Sequence, residues 1–350
     1  MTSAPHPDSI EGLFARFGPA YRWLVTAPVM MGTIATILTA TIVNVALPDI
    51  MGAFGMGQDK AQLLSTGFLA AMTGTMLLNA WMVETLGQRA TFMLAVAVLI
   101  VAPIIAGLAP AERVSMLAPG PPGGAAGMLQ PLAMQVIFQV FPPEKRGSAM
   151  GIYGIGVVLA PALGPTLGGI MVDSFSWRYV FFMAVPFCLI GLFLATLFMP
   201  GRATSGRPRR FDWIGFGLMT AFLVTLLNGL SNGQRDGWMS DPILRDFAVA
   251  FVSGIGFIVW ELRTPAPMLN LKLFTNRVYA GASVVAFIFG AGIYGSTFLI
   301  PLFAQTIQGY TPTRSGLLLM PAGLILALVF PIAGRLTDKT PAYATVMFGL

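Results

Sequence analysis

Any chemistry this sequence performs must come from a short inventory. There is one histidine, His6, in a polar N-terminal stretch, and one cysteine, Cys188, inside an apolar run. Neither supports a zinc constellation or a disulfide framework, or a His-based acid–base pair. No nucleophile–base pair or phosphate-cradling glycine loop accompanies them. The expectation is therefore no enzymatic reaction, no metal and no organic cofactor. What remains are uncharged polar side chains set within apolar stretches: Asn44, Gln130, Gln135, Gln139 and Asn228, with Thr33, Thr36 and Thr39 at three-residue spacing. Turned to the interior of a bundle, such groups can hydrogen-bond a bound solute. Turned to a neighbouring helix, they act as glue worth about 0.6 kcal/mol per contact in a membrane. The threonines have a third option, bonding back to their own helix.

The densest pattern lies further along, in Gly151, Ala160, Gly164, Pro165, Gly168 and Gly169. Ala160, Gly164 and Gly168 fall four apart, on one side of a helix, where small residues let a second backbone approach closely. Pro161 and Pro165 each remove an amide donor, which predicts a local bend and pivot. A third cluster, Glu84, Gly87 and Arg89, sits in a short polar break between apolar runs. An acid there can face a helix N-terminus, where the dipole favours negative charge.

These residues must be carried by membrane spans. The chain is 56% apolar and 10% charged, where soluble domains carry about 25% charged residues. A span needs about 20 apolar residues, and runs of that kind lie near 23–47, 63–83, 90–109, 116–141, 147–172, 178–199, 213–231, 244–261, 277–301 and 314–334. Pro119, Pro121 and Pro122 make the start of the fourth uncertain, and a further run begins near Pro341. With the N-terminus in the cytoplasm, most of the 20 Lys and Arg fall on the cytoplasmic side. Only Lys60, Arg113, Arg178, Arg235, Arg245 and Arg314 fall outside, as the positive-inside rule requires. The net charge of +6 is thus a topology signal rather than a nucleic-acid footprint. The first span serves as an uncleaved insertion signal.

Read together, these stretches resemble a known family. Gly151–Gly169 is close to the antiporter motif of the fifth helix in major facilitator exporters, with Ala160 in place of one glycine. Leu38–Pro48 resembles the first-helix signature of the fourteen-helix drug:proton antiporters, the EmrB/QacA-like branch. Ala80–Arg89 resembles the superfamily's loop between the second and third helices, with Glu84 at the acidic position and Thr85 replacing the usual arginine. Phe141–Gly147, Ser176–Phe181, Phe211–Gly215, Asn232–Trp238 and Trp260–Arg263 look like further family segments, the last three belonging to the extra helix pair of fourteen-helix members. The resemblance implies an all-α polytopic membrane protein with the major facilitator fold: two six-helix bundles plus an extra central helix pair, the second bundle incomplete as written. It divides the chain into a cytoplasmic tail (1–22), an N-terminal six-helix bundle (23–200), a basic cytoplasmic linker (201–212), the extra pair (213–262) and part of a C-terminal bundle (263–350).

The resemblance further implies multidrug export across the bacterial inner membrane, with amphipathic compounds exchanged for protons and the proton gradient as energy source. Access alternates as one bundle rocks against the other. A periplasmic adaptor and an outer-membrane channel are the implied partners in a Gram-negative cell, beside the lipid bilayer; nucleic acid is not. Asn44, Gln130, Gln135 and Thr39 become substrate-cavity candidates. Gly151, Ala160, Gly164, Pro165, Gly168 and Gly169 form the pivot, and Glu84, Gly87 and Arg89 the cytoplasmic gate. Three departures stand against this. Thr39 occupies the usual first-helix aspartate position, and no Asp, Glu, Lys, Arg or His lies deep in a span. Pro119–Gly123 replaces a family motif with helix breakers, which suggests a local shift of reading frame. The last apolar run, 341–350, is too short to span. A truncated or frameshifted non-transporting remnant, and an exporter of one specific metabolite on the same fold, therefore stand as alternatives.

Overall fold

A computed structural model describes residues 8–55, 57–108, 120–201, 211–340, 344 and 347, with the side chains of 42–48, 54 and 58–66 outside the description. Among the described residues there are eleven α-helices and no strand. They are α1 (Ile10–Phe17), α2 (Tyr21–Phe54), α3 (Gln58–Leu86), α4 (Gln88–Leu108), α5 (Gly120–Val140) and α6 (Arg146–Ser174). Then follow α7 (Val185–Phe198), α8 (Trp213–Asp236), α9 (Asp241–Arg263), α10 (Arg277–Thr306) and α11 (Pro312–Thr337). Eight helical stretches are long and apolar enough to cross a membrane on length and composition. The α5 helix spans 21 residues, its apolar character diluted by Gln130, Gln135 and Gln139. The run predicted near Pro341, and Pro119 itself, lie outside the described residues.

One expectation is corrected here. Pro121 and Pro122 were predicted to break a helix, yet α5 starts at Gly120 and runs on through both. They occupy its first turn, where backbone amides have no intrahelical acceptor and a missing donor costs nothing. Pro161 and Pro165, where a bend is expected, lie inside α6, which stays helical across them.

The main core lies among α2, α4, α5, α6 and α7. Leu129, Leu132, Ala133, Val136 and Ile137 of α5 are fully buried between Phe92, Ala95, Val96 and Leu99 of α4 and Val25, Val29 and Ala35 of α2. Cys188 of α7, fully buried, closes this core. The α3 helix packs on α5 through glycine: side chains at Gly123 and Gly127 would run into the backbone of Phe68 and Met72. The Thr75 hydroxyl donates to the Gly124 carbonyl across the same contact at 2.7 Å. The α8 and α9 helices pair mainly with each other and reach the rest through α3. The α10 helix is exposed along most of its length, touching α2 through Phe298 and α11 near its end.

The α3–α5 contact has a direct check. Gly127→Leu is expected to cost about 1–3 kcal/mol by overpacking. Cys188 is the single thiol and is buried, so a thiol-reactive dye reports unfolding. It should label the variant at a melting temperature several degrees below that of the parent; coincident labelling curves would refute the contact.

Candidate functional site: the seam between α6 and α11

The most extensive helix–helix contact outside the main core joins α6 to α11. The two run antiparallel, since Gly147 lies at Gly334 and Asp338 while Gly169 lies at Pro312 and Thr313. Glycine makes the approach possible. A Cβ on Gly151 would stand 2.8 Å from the Phe330 carbonyl oxygen, one on Gly169 2.6 Å from Pro312, and one on Gly316 2.5 Å from the Pro165 carbonyl. A Cβ on Gly334 would stand 2.8 Å from the Gly151 Cα. In the middle, the Phe330 ring fills the notch at Gly154 and the Ala162 methyl the notch at Gly323. Lipid tails are as apolar as the helices, so association must come from van der Waals approach and polar contacts.

Each end of the seam is closed by a carboxylate from the end of one helix seated at the start of the other. Asp338, just past α11, accepts the Gly147 amide at 2.7 Å, the Ser148 amide at 2.8 Å and the Ser148 hydroxyl at 2.5 Å. At the opposite end Asp173 of α6 accepts the Thr313 amide at 3.2 Å and its hydroxyl at 2.5 Å. Both acids satisfy first-turn amides that have no acceptor within their own helix, and both meet the positive end of a helix dipole. Burial alone would raise the Asp338 carboxyl. The Ser148 hydroxyl and the Ser148 and Gly147 amides outweigh it and hold the group below the usual aspartate range. Beside Asp173, burial and then the Asp173 charge push Asp49 above that range.

The predicted site residues divide around this seam. Gly151, Ala160, Gly164, Pro165, Gly168 and Gly169 are all buried on α6. Gly151, Pro165 and Gly169 face α11. Ala160 instead joins Ile37 and Leu38 of α2, Trp177 and Val180 in a second apolar cluster, so the pattern serves two neighbours. Gln130 and Gln135 are half-buried on α5, whereas Gln139 is exposed and accepts from the Gln88 amide nitrogen at 2.8 Å. Asn44 is helical, its side chain outside the described residues. Thr33, Thr36 and Thr39 donate to carbonyls four residues back at 2.8, 2.9 and 2.8 Å. Thr33 also meets the buried Tyr153 hydroxyl of α6 at 2.9 Å.

Glu84, Gly87 and Arg89 are not brought to the seam. Gly87 ends α3 with φ 87°, and its amide bonds the Val83 carbonyl. Arg89 donates from Nε to the Met199 carbonyl at 2.7 Å and pairs with Asp8 at 3.2 Å, a cation at the C-terminal end of α7 where the dipole favours it. Glu84 is exposed and lines a cavity of about 130 Å³ with Leu77, Trp81, Phe211, Asp212 and Met268. Unlike Glu84, Asp338 does seat on a helix start. Its sequence signal is a small residue four positions earlier, Gly334, as Ala80 precedes Glu84. Asp173 carries the same signal in Gly169, four positions earlier, whereas Thr313, Gly316 and Gly323 carried none.

The seam yields a prediction. Asp338→Ala removes a charged cap worth about 1 kcal/mol, a roughly fivefold shift toward separation at that end. Spin labels at Glu144→Cys and Lys339→Cys, both exposed, should show a longer, broader distance distribution in that background. An unchanged distribution refutes the cap. The Asp338 carboxyl titrates below its ordinary value, so the cap is in place above that value and is lost as pH falls through the depressed one. Closure should therefore be flat between about pH 5 and 8 and weaken only in acid below about 4.

The description Major Facilitator Superfamily matches residues 29–350. The chain is 32% identical over 321 residues to the Uncharacterized MFS-type transporter YhcA of Bacillus subtilis, covering 92% of this chain and 60% of that protein. It is 32% identical over 323 residues to the Multidrug resistance protein Stp of Mycobacterium tuberculosis, covering 91% and 60%. It is 28% identical over 326 residues to the Multidrug export protein EmrB of Escherichia coli, covering 93% and 64%. This chain thus spans roughly three-fifths of the length of these relatives. Among solved structures, the peptide transporter POT in complex with sulfate superposes with a TM-score of 0.62 at 15% identity, over 93% of this chain and 70% of that one. The proton:xylose symporter XylE superposes with a TM-score of 0.59 at 12% identity, over 92% and 70%.

Proposed function

Because the chain belongs to the major facilitator superfamily, we propose that it works as a secondary active exporter of drugs or other amphipathic toxic compounds, exchanging them for protons. The carrying observation is the α6–α11 seam. A glycine-lined contact closed at each end by one acid can part without unmaking a core. That is what alternating access asks of the contact between two rocking bodies. Relatives named as multidrug proteins, near 30% identity, support the substrate class.

In this reading the chain sits in the bacterial inner membrane with its N-terminus in the cytoplasm, and Asp338 closes the inner end while Asp173 closes the outer. Gln130, Gln135 and Tyr153, on helices facing α2, offer uncharged hydrogen-bonding groups of the kind a varied clientele requires, and the methionines adapt their shape around apolar solutes. Asn44 and Thr39 belong to the same cavity. A periplasmic adaptor and an outer-membrane channel complete the route in a Gram-negative cell. The proton gradient supplies the energy, with no organic cofactor.

The deciding experiment is efflux of a cationic dye from cells expressing this chain. Retention should fall below that of empty-vector cells, and a protonophore should restore it. Asp338→Ala should slow efflux several-fold while the protein remains present in the membrane. Retention equal to empty vector with and without the gradient overturns export. Efflux confined to a single metabolite in a substrate screen replaces multidrug export with the narrower activity, since one fold hosts both.

A further inference from the structure

Two carboxyl groups meet at the base of the α8–α9 hairpin. Asp212 caps the start of α8. Its Oδ1 accepts the Gly215 amide at 2.9 Å and the Trp260 indole N–H at 2.9 Å, and its Oδ2 lies 3.0 Å from the same indole nitrogen. Glu261, the next residue after Trp260, is 3% exposed. Its Oε2 accepts the Leu269 amide at 3.1 Å, while its Oε1 is buried and has no hydrogen-bond partner among the described residues. The point where a Cβ on Gly215 would stand lies 2.6 Å from Asp212 Oδ2 and 2.8 Å from Glu261 Oε1. Glycine at 215 leaves open the space that both oxygens border.

Two ionised carboxylates are poorly suited to that arrangement. A buried oxygen without a donor is costly, and a second negative charge across the gap adds repulsion. One proton on Glu261 Oε1 removes both costs, because it turns an unpaired acceptor into a donor on the same space that Asp212 Oδ2 borders. The division of roles follows from the contacts. Asp212 accepts from an amide and an indole, whereas Glu261 is met by the backbone at Leu269 and Met268 and is the more deeply buried. Among the described residues, the other charged groups near the pair are Glu84 of α3, which lines the adjoining cavity with Asp212, and the exposed Arg263 and Lys272, the latter on the turn Leu271–Thr275 packed against α9.

We propose that Glu261 and Asp212 form a protonation site, in which one proton drawn from water is carried on Glu261 Oε1 and donated to Asp212 Oδ2. The proton ties the start of α8, the end of α9 and the backbone at Leu269 into one knot. Its loss leaves two anions facing each other and loosens the hairpin base where it adjoins Trp81 and Glu84 of α3. The site itself stands on its own geometry. Its role in coupling rests on the export reading, which needs a group that takes up and releases protons. In the described helices every Asp, Glu, Lys and Arg lies within about two turns of an end.

The test is infrared spectroscopy of the purified full chain, titrated from about pH 5 to 9. The expected result is a protonated-carboxyl stretch at neutral pH that moves when the glutamates carry ¹³C carboxyls and stays when the aspartates do. Glu261→Gln should abolish it. Asp212→Asn, which removes the facing charge, should shift its titration to lower pH. No protonated carboxyl at neutral pH, a band that follows aspartate labelling, or one that survives Glu261→Gln overturns the proposal. If Glu261→Gln does not fold, the labelled parent protein and Asp212→Asn still decide it. Dye efflux by the same protein separates the two readings. The band without efflux defeats export and leaves the site, and efflux without the band defeats the site and leaves export.

Discussion

Everything in this structure depends on how near two backbones can come inside a bilayer. Water drives helices together in a soluble protein, but lipid gives little preference for helix over tail. Contact must then be earned atom by atom, and a missing side chain is the cheapest way to bring more atoms within reach. The same solution appears twice: Gly123 and Gly127 set α5 against α3, and Gly151, Gly169, Gly316 and Gly334 set α6 against α11. The two contacts differ in how their polar groups are handled. Between α3 and α5 a hydroxyl bonds across the interface in mid-helix, whereas α6 and α11 exchange carboxylate caps at their ends. The first behaves as a fixed joint and the second as a closure.

Backbone satisfaction explains much of the remaining polar inventory. No backbone group can be left unpaired in hydrocarbon, so helix ends gather whatever partners the neighbouring segments offer. Arg146 donates to the Phe138 and Phe141 carbonyls at the end of α5, and Arg89 does the same at the end of α7. The α2 threonines return their hydroxyl protons to their own helix, which leaves Thr33 available to Tyr153. Polar residues in the spans thus satisfy local valence first. Gln130 and Gln135, half-buried on α5, are among those with capacity to spare.

Much of the helical layout could be read from the sequence, because apolar runs of span length have few other fates. The α6 pattern was legible for the same reason, as small residues four apart form a visible stripe. Its partner stripe on α11 was not, since Gly316, Gly323 and Gly334 share a helix face but stand two and three turns apart, too sparse to stand out in a glycine-rich chain. Pro121 and Pro122 misled because a proline breaks a helix interior and suits a first turn, and the helix start sets which applies. Asp173, Asp338 and Glu261 lie at helix ends, where acids are ordinarily solvated. Only the fold shows what each faces.

The glycine seam also bears on how such a protein can be dissected. Alanine scanning works by deleting atoms and asking what was lost, and at most interfaces that isolates a contribution. At Gly151, Gly316 and Gly334 there is nothing to delete, and the same substitution inserts a methyl group between two main chains. A survey of this surface by truncation would therefore report obstruction while seeming to report loss. The informative experiments run the other way, shaving the residues that fill its notches, Phe330 and Ala162, and reading how loosely the two helices then sit.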